Sequence, residues 1–225
     1  MLPYLTVNTI IELTVFIISL FTLIKDNNLF WRLIVLYLFL VCVAEINGIH
    51  FRILYMQNPK ANHTNEWVYN ILTIPQIIIL SLFFKEVLFK KNRISKFIIP
   101  IIILLGIIYT YELFTHGIFV YNKNTVAIRS VIMVIFCFIY YYFLIKNDTY
   151  INLSFSPEFW WVTGCFFFFF GSTICNLAYP SLAKIRYSNG TTISYYIFQV
   201  LNILLYSCWS YAFFCRKWES TKQKT

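Results

Sequence analysis

The sequence predicts an all-α integral membrane protein, a polytopic bundle of seven transmembrane helices. Of its 225 residues, 60% are apolar and 21% aromatic, whereas only 12% are charged. Ordinary soluble domains carry about 25% charged residues. The apolar residues also form seven continuous runs of about 20 residues, the length that crosses the hydrocarbon core as a helix. These two observations exclude a soluble enzyme, a disordered linker and a secreted disulfide scaffold.

The seven predicted helices are separated by short segments that hold most of the Lys, Pro and Asn residues. We predict the helices at residues 6–24, 30–51, 67–89, 97–114, 126–145, 159–179 and 193–215. The apolar runs lack the alternation of a membrane β-barrel, so only the internal hydrogen bonds of a helix can satisfy their backbone in lipid. No connection is long enough for a soluble domain. Residues 1–225 are therefore predicted to form a single transmembrane domain.

Individual residues support particular helices in this series. No basic segment precedes the first helix and no small-x-small cleavage site follows it, so we predict a true helix and not a signal peptide. In the third helix, Pro75 is expected to produce a kink. Pro157 lies near the start of the sixth, where proline is tolerated. Gly164 and Gly171 lie on one face of the sixth helix and predict a close helix–helix contact there.

The distribution of basic residues predicts the orientation. With seven spans, twelve of the 18 Lys and Arg residues fall on the same side as the C-terminal tail, including the dense run Lys85–Lys96. Because cytoplasmic loops carry an excess of Lys and Arg, we predict the N-terminus outside and the C-terminus in the cytoplasm. Attraction to anionic headgroups then accounts for the net charge of +9. We expect the lipid bilayer as partner and no nucleic acid.

Polar residues within the spans are concentrated towards the predicted outer ends of the helices. Polar groups are costly in hydrocarbon and usually face the bundle interior. The pattern predicts a polar pocket that is open to the outside and closed below by apolar and aromatic residues. Four of these residues are expected to share a layer about 10 Å below the outer surface, namely Glu12, Glu45, Gln76 and Gln199. The predicted ligand-binding residues are Glu12, Glu45, Asn47, Asn70, Gln76, Arg129, Asn176, Gln199 and Asn202.

The two carboxylates carry most of this prediction, because an isolated amide can simply join two helices by a hydrogen bond. Arg52 lies seven residues beyond Glu45 on the same helical face and is its expected partner. Arg129 is expected to serve Glu12 or Glu112. The six cysteines are interpreted as small apolar packing residues. No metal or cofactor is expected, because no Cys or His residues have ligand spacing.

Three stretches of the chain carry a family resemblance. They are Asn65–Ile71, which follows Glu45, then Pro157–Gly164, and finally Asn202–Tyr206. Together with the bias towards Lys, Asn, Ile and Phe, they resemble small, uncharacterised seven-helix inner-membrane proteins of Bacteroidota. The resemblance implies a multi-pass protein of the bacterial inner (cytoplasmic) membrane and carries over no activity.

Functions of different classes remain open from the sequence. It favours a non-enzymatic protein that binds a small ligand or acts as a sensor, signalling to a membrane-protein or cytoplasmic partner. The alternative is an intramembrane enzyme acting on a lipid or lipid-linked substrate. In it, Glu12 and Glu45 would serve as general acid and base, with His50 as an auxiliary proton carrier. No nucleophile motif supports this alternative. A transporter is less favoured because the inner half has almost no polar lining, and a structural subunit of a larger membrane complex is the remaining alternative.

Overall fold

The computed structural model describes residues 5–60, 63–88, 93–146, 152–178, 182, 185 and 192–222. This part of the chain contains seven long helices and no β-strand, which confirms the all-α prediction. The helices are α1 (Val7–Leu23), α2 (Leu29–Gln57), α3 (Glu66–Leu88), α4 (Ser95–His116), α5 (Lys123–Lys146), α6 (Pro157–Leu177) and α7 (Ile193–Lys222). The predicted helix ends Phe89 and Tyr179, and part of the basic run Lys85–Lys96, lie outside the described residues.

Helix length and composition agree with a multi-pass membrane protein. Helices α2 to α7 are each long and apolar enough to cross a membrane, and α1 is a shorter apolar helix of 17 residues. At 1.5 Å per residue, α1 is about 25 Å long, slightly less than the roughly 30 Å of a hydrocarbon core. The helix count therefore fits the predicted seven. Which side of the membrane each terminus occupies stays a prediction.

Two helices run well past their predicted ends. Helix α2 continues to Gln57, six residues beyond the predicted end at Phe51, and α7 continues to Lys222, seven beyond Cys215. The apolar run marks only the thickness of the hydrocarbon, whereas a helix can continue through polar residues into water. The extra length of α2, about 9 Å, places Arg52 inside the helix and not at its rim.

The starts of three helices are set by capping residues. In each case, the side-chain oxygen of the residue before the helix accepts a hydrogen bond from a backbone N–H of the first turn, which has no partner inside the helix. These residues are Thr6 before α1, Asn28 before α2 and Ser156 before α6. Pro157 directly follows its cap at the first position of α6, where the absence of an N–H costs nothing.

Helix α3 changes its helical type along its length. An α-helical segment Glu66–Pro75 is followed by a π-helical segment Gln76–Leu80, a short α-helical turn Ser81–Phe83 and a second π-helical segment Phe84–Leu88. Pro75 has no N–H to donate to the preceding turn, and its ring crowds the carbonyl there. The wider turn begins directly after it. The irregularity predicted at Pro75 is thus a change of helix type, and such π-helical turns are frequent at functional sites.

The chain divides into two compact units, Met1–Arg129 and Ser130–Thr225, with the boundary inside α5. In the first unit, α1 packs against α2, and α2 packs against α3. In the second unit, α6 and α7 pack against each other more extensively than any other helix pair described.

Close contact between α6 and α7 depends on two glycines. A Cβ atom at Gly164 would lie 3.0 Å from the carbonyl oxygen of Leu205, and one at Gly171 would lie 2.5 Å from Cδ2 of Leu201. This agrees with the contact predicted from the spacing of the two glycines. Beside them, the indole rings of Trp161 and Trp209 stack with centroids 5.4 Å apart.

Candidate functional site

The buried polar groups are distributed unequally between the two units. Among the described residues, every buried charged or amide side chain belongs to the first unit. These side chains are Glu12, Asp26, Asn70, Glu112, Asn122 and Arg129. The second unit buries four serine side chains, at Ser130, Ser156, Ser172 and Ser194. The first unit is therefore where chemistry beyond packing is concentrated.

Glu12, Glu45 and Tyr69 form what we call the acidic cluster, one residue from each of α1, α2 and α3. The carboxyl groups of Glu12 and Glu45 are close enough for their charges to interact. Glu12 is only 6% exposed, whereas Glu45 is half-buried. Tyr69 donates its hydroxyl to Oε2 of Glu45 at 3.1 Å. Arg52 also acts on Glu45 through its charge, as predicted.

Gly48 makes the Tyr69 hydrogen bond possible. A Cβ atom at Gly48 would lie 2.5 Å from the Tyr69 hydroxyl oxygen and 2.9 Å from Cζ. The Tyr69 side chain therefore passes over the backbone of α2 at Gly48, where no side chain blocks it. Glu45 lies three residues before Gly48 and is its neighbour on the helix surface. A larger residue at position 48 would occupy the space of the phenol.

Two oxygen atoms near the acidic cluster have no hydrogen-bond partner among the described residues. They are Oε2 of Glu12 and Oδ1 of Asn8, and both atoms are buried. Asn8 precedes Glu12 by four residues and therefore lies on the same face of α1. Long helical side chains lean towards the helix N-terminus, which directs the Glu12 carboxyl towards the level of Asn8. Leaving a buried acceptor unpaired costs about 1–3 kcal/mol, so this site retains unused hydrogen-bonding capacity.

A second group, which we call the arginine cluster, consists of Tyr37, Gln76 and Arg129. Gln76 donates through Nε2 to the hydroxyl of Tyr37 at 3.1 Å, and its Oε1 accepts a hydrogen bond from Nη1 of Arg129. Arg129 is 5% exposed, and the hydroxyl of Tyr121 also lies within its electrostatic reach. Gln76 is the first residue of the π-helical segment of α3. Its position there aligns the amide with both partners.

The two clusters lie at different levels of the first unit. Tyr37 and Glu45 are eight residues apart on α2, which corresponds to about 12 Å along the helix axis. The prediction that Gln76 shares a layer with Glu12 and Glu45 is therefore wrong. Counting residues from predicted span ends misplaced Gln76 because α2 and α3 do not begin and end at common levels.

The predicted pairing of Arg129 with Glu12 or Glu112 stays a prediction. The interactions described for Arg129 include those with Gln76, Tyr37 and Tyr121. Glu112 accepts hydrogen bonds at the N-terminus of α5 from the backbone N–H groups of Asn124 and Thr125, each at 2.9 Å. A carboxylate is stabilised at a helix N-terminus by the unpaired N–H groups and the helix dipole. Glu112 thus caps a helix.

Asn70 is buried and holds the connection between α4 and α5. Its Nδ2 donates to the carbonyl oxygens of Ile118 and Val120, both at 2.7 Å, and its Oδ1 accepts from the backbone N–H of Asn122 at 3.1 Å. Its side chain is 0% exposed. Predicted as a ligand-binding residue, Asn70 uses its amide to satisfy protein backbone.

Asn47 and His50 lie on exposed parts of α2. Asn47 donates to the carbonyl of Val43, one turn earlier in its own helix, at 2.7 Å. His50 is exposed and packs edge-on against Phe51. Five residues correspond to about 140° of rotation around a helix, so His50 lies on a different face from Glu45. The geometry gives neither residue a place in the acidic cluster.

Three predicted ligand-binding residues belong to the second unit. Asn176, Gln199 and Asn202 are half-buried. Gln199 donates through Nε2 to the hydroxyl of Tyr195 at 3.0 Å on its own helix. These residues are described within their own unit, and their participation in a site with Glu12 and Glu45 stays a prediction.

No family model matches this chain, and no curated protein or solved structure is detectably similar to it. Its function is therefore inferred from the residues of the site alone. In the described part of the chain, no group of three or more His, Cys, Asp and Glu side chains is arranged to hold a metal ion.

Two residues of the site, Tyr69 and Asn8, are not among the predicted ligand-binding residues. The available signal was the series Tyr69, Thr73 and Gln76, which has the i, i+4, i+7 spacing of one helical face. For Asn8, the signal was its i, i+4 spacing from Glu12 on the same helix.

The acidic cluster is rich in hydrogen-bond acceptors and negative charge. Both carboxyl groups accept hydrogen bonds when ionised, and the Tyr69 hydroxyl proton is already used by Glu45. Such a set of atoms can bind a cation, a group with several N–H or O–H donors, or a proton.

Proposed function

We propose that this protein is a multi-pass protein of a bacterial inner membrane that binds a small ligand at the acidic cluster, reached from the outer side. The observation that carries the proposal is the unpaired Oε2 of Glu12, in a side chain only 6% exposed, next to a second carboxyl group. Ionisable residues within a membrane-spanning bundle are costly and are usually retained for function.

The contrast with the neighbouring amides supports this assignment. Asn70 and Gln76 form their hydrogen bonds with other groups of the protein. Amides that only hold helices together do the same. Glu12 and Asn8 do not, because each keeps a buried oxygen without a partner among the described residues. A ligand that supplies hydrogen-bond donors would remove this cost, and its binding would gain the corresponding free energy.

A sensory role follows from the position of the cluster. The cluster takes one residue from each of α1, α2 and α3, so a ligand that draws Glu12 and Glu45 together would change how these helices pack. The π-helical segments of α3 provide a place where such a change can be absorbed, since π-helical turns depart from regular geometry. The partner that receives the signal would lie in the membrane or on the cytoplasmic side.

The experiment uses the full chain in lipid nanodiscs and a library of small metabolites. We expect at least one compound to raise the midpoint of thermal unfolding of the wild-type protein by several degrees, as ligands at about 100 times their Kd do. Glu12→Gln and Glu45→Gln should abolish this shift. Glu66→Gln is the matched control, because Glu66 lies on α3 in the same unit outside the cluster, and it should leave the shift unchanged. If no compound gives a stabilisation that depends on Glu12, the proposal is wrong.

The closeness of Glu12 and Glu45 also favours a second function, an intramembrane enzyme with the two carboxyl groups as acid and base. His50 lies on a different face of α2 from Glu45, and its role as an auxiliary proton carrier stays a prediction. The test is incubation of the purified protein with a bacterial lipid extract, followed by mass spectrometry. Turnover of a lipid that disappears in Glu12→Gln and Glu45→Gln, and persists in Glu66→Gln, would establish this function in place of simple binding.

A further inference from the structure

Two buried hydrogen-bonding atoms at the acidic cluster lack a partner among the described residues, and both are acceptors. They are Oε2 of Glu12 and Oδ1 of Asn8. Glu45 has one oxygen bonded to Tyr69, and its carboxyl group is half-buried. Oxygen atoms on two adjacent helices of this site are therefore available to accept hydrogen bonds.

The charges near the cluster leave a deficit of one positive charge when both carboxyl groups are ionised. When ionised, Glu12 and Glu45 each carry one negative charge, and Arg52 acts on Glu45 through its positive charge. Arg52 itself is exposed to solvent, whereas Glu12 is buried. A singly charged cation at Glu12 would neutralise the group, and burial of an uncompensated charge is strongly unfavourable.

From these two observations we infer that the ligand carries a protonated primary amine, which binds between Asn8, Glu12 and Glu45. This inference rests on the proposed ligand-binding function. A primary ammonium has three N–H donors and no acceptor, so it can donate to the unpaired oxygens of Glu12 and Asn8 and to the carboxyl group of Glu45 at the same time. Its hydrogen bonds to carboxylates are charge-assisted and about twice as strong as neutral ones.

Other cations fit these atoms less well. Ca²⁺ takes six to eight oxygen ligands and Mg²⁺ requires near-ideal octahedral coordination, and the described residues provide no metal-binding group of three or more His, Cys, Asp or Glu side chains. A quaternary ammonium offers no N–H to the unpaired oxygens and is bound instead by aromatic faces. The primary amine satisfies both the charge and the unpaired acceptors.

The test compares three probes on the full chain in phosphatidylcholine nanodiscs, where no anionic headgroup competes for cations. The probes are n-butylammonium chloride, its neutral isostere n-butanol, and tetramethylammonium chloride, which has the charge but no N–H. Ionic strength is held constant with NaCl. We expect n-butylammonium alone to raise the unfolding midpoint in a saturable manner. Glu12→Gln and Asn8→Ala should each weaken its apparent affinity by about tenfold or more, and Glu66→Gln should not change it.

The outcomes separate this inference from the function on which it rests. Equal stabilisation by tetramethylammonium or by NaCl alone would overturn it, because charge without N–H donors would then suffice. If n-butylammonium has no effect while another class of compound stabilises the protein in a Glu12-dependent manner, the inference of an amine ligand is wrong and the proposed binding function stands. If no compound at all depends on Glu12, both fail. Asn8→Ala keeps the test decisive if Glu12→Gln does not fold. Asn8 is half-buried and lies at the start of α1, so its substitution should not prevent folding.

Discussion

The two units of this chain hold their helices together in different ways. In the first unit, α1, α2 and α3 meet partly through polar side chains, including Glu12, Glu45 and Gln76. In the second, α6 and α7 meet through Gly164 and Gly171 and a stacked pair of tryptophans. The first arrangement depends on hydrogen bonds between buried polar side chains. The second depends mainly on shape, with one buried hydrogen bond from Nε1 of Trp209 to the carbonyl oxygen of Trp161 at 3.2 Å.

This difference indicates where function lies. Small residues and aromatic rings pack helices in lipid without any polar group, and the second unit uses this solution almost throughout. The first unit buries charged and amide side chains, and at Glu12 it retains an oxygen with no partner among the described residues. Burying polar groups, and leaving one oxygen unpaired, lowers stability and is not required for packing. Such a loss of stability is typical of a site retained for binding or catalysis.

The largest loss of unfolding free energy should come from Asn70→Ala in the first unit. It removes three hydrogen bonds to the backbone between α4 and α5. At about 0.6–1.7 kcal/mol for each bond in a membrane protein, the loss should be about 2–5 kcal/mol in the free energy of unfolding. Equilibrium unfolding in detergent measures it.

The matched control is Gln199→Ala in the second unit, where a half-buried amide donates a hydrogen bond to Tyr195 on its own helix. This substitution should cost less than about 1 kcal/mol. Equal losses for the two variants would contradict the comparison, because buried amides would then matter no more in one unit than in the other.

A smaller effect should come from Gly164→Ala in the second unit. The new methyl group would lie 3.0 Å from the carbonyl oxygen of Leu205, a backbone atom that cannot move aside without shifting α7. Overpacking of this kind costs about 1–3 kcal/mol. The unfolding free energy of the variant in detergent is the measurement.

Gly106→Ala is the control for this substitution, because a Cβ atom at Gly106 on α4 would meet nothing within 4 Å. Alanine has the higher helix propensity, so the variant should be neutral or more stable by up to about 1 kcal/mol. If Gly164→Ala were as harmless as Gly106→Ala, the second unit would not depend on close backbone contact as described.

Much of this organisation could be predicted from the sequence. Continuous apolar runs specify helices, because a closed β-barrel, the other structure that satisfies the backbone in lipid, requires alternating polar and apolar residues. The spacing of Gly164 and Gly171 predicted the helix contact that both glycines make. The nearness of Glu12 and Glu45 followed from two carboxyl groups at similar depth in adjacent, antiparallel helices, with the cost of burial directing both towards the interior.

Other features could not be predicted, for physical reasons. The position of a residue along a helix gives the level of its side chain in the membrane. The direction of the side chain also depends on how the helix is rotated about its axis, and this rotation directs Gln76 to Tyr37 and not to Glu45. The partners of Asn70 are backbone carbonyls of a connection, and every residue has such a group. The π-helical turns after Pro75 required the local geometry itself.

The smallest effect should come from the contact between Tyr69 and Glu45. Tyr69→Phe removes one hydrogen bond and should cost about 0.6 kcal/mol. Gly48→Ala should break the same bond, since its methyl group would occupy the position of the phenol oxygen. A double-mutant cycle on unfolding free energies measures the coupling. We expect Gly48→Ala to cost less when it is combined with Tyr69→Phe than in the wild type, whereas strict additivity would show that the contact does not form.

The most direct test of the account is an experimental structure of the full chain in lipid nanodiscs, determined in the presence of a compound that stabilises it. The account predicts density not accounted for by the protein next to Oε2 of Glu12, bounded by Asn8 and Glu45, with the Tyr69 hydroxyl still on Glu45. A Glu12 side chain directed at the acyl chains, or one whose Oε2 is hydrogen-bonded to another protein group with no density beside it, would contradict the proposed site.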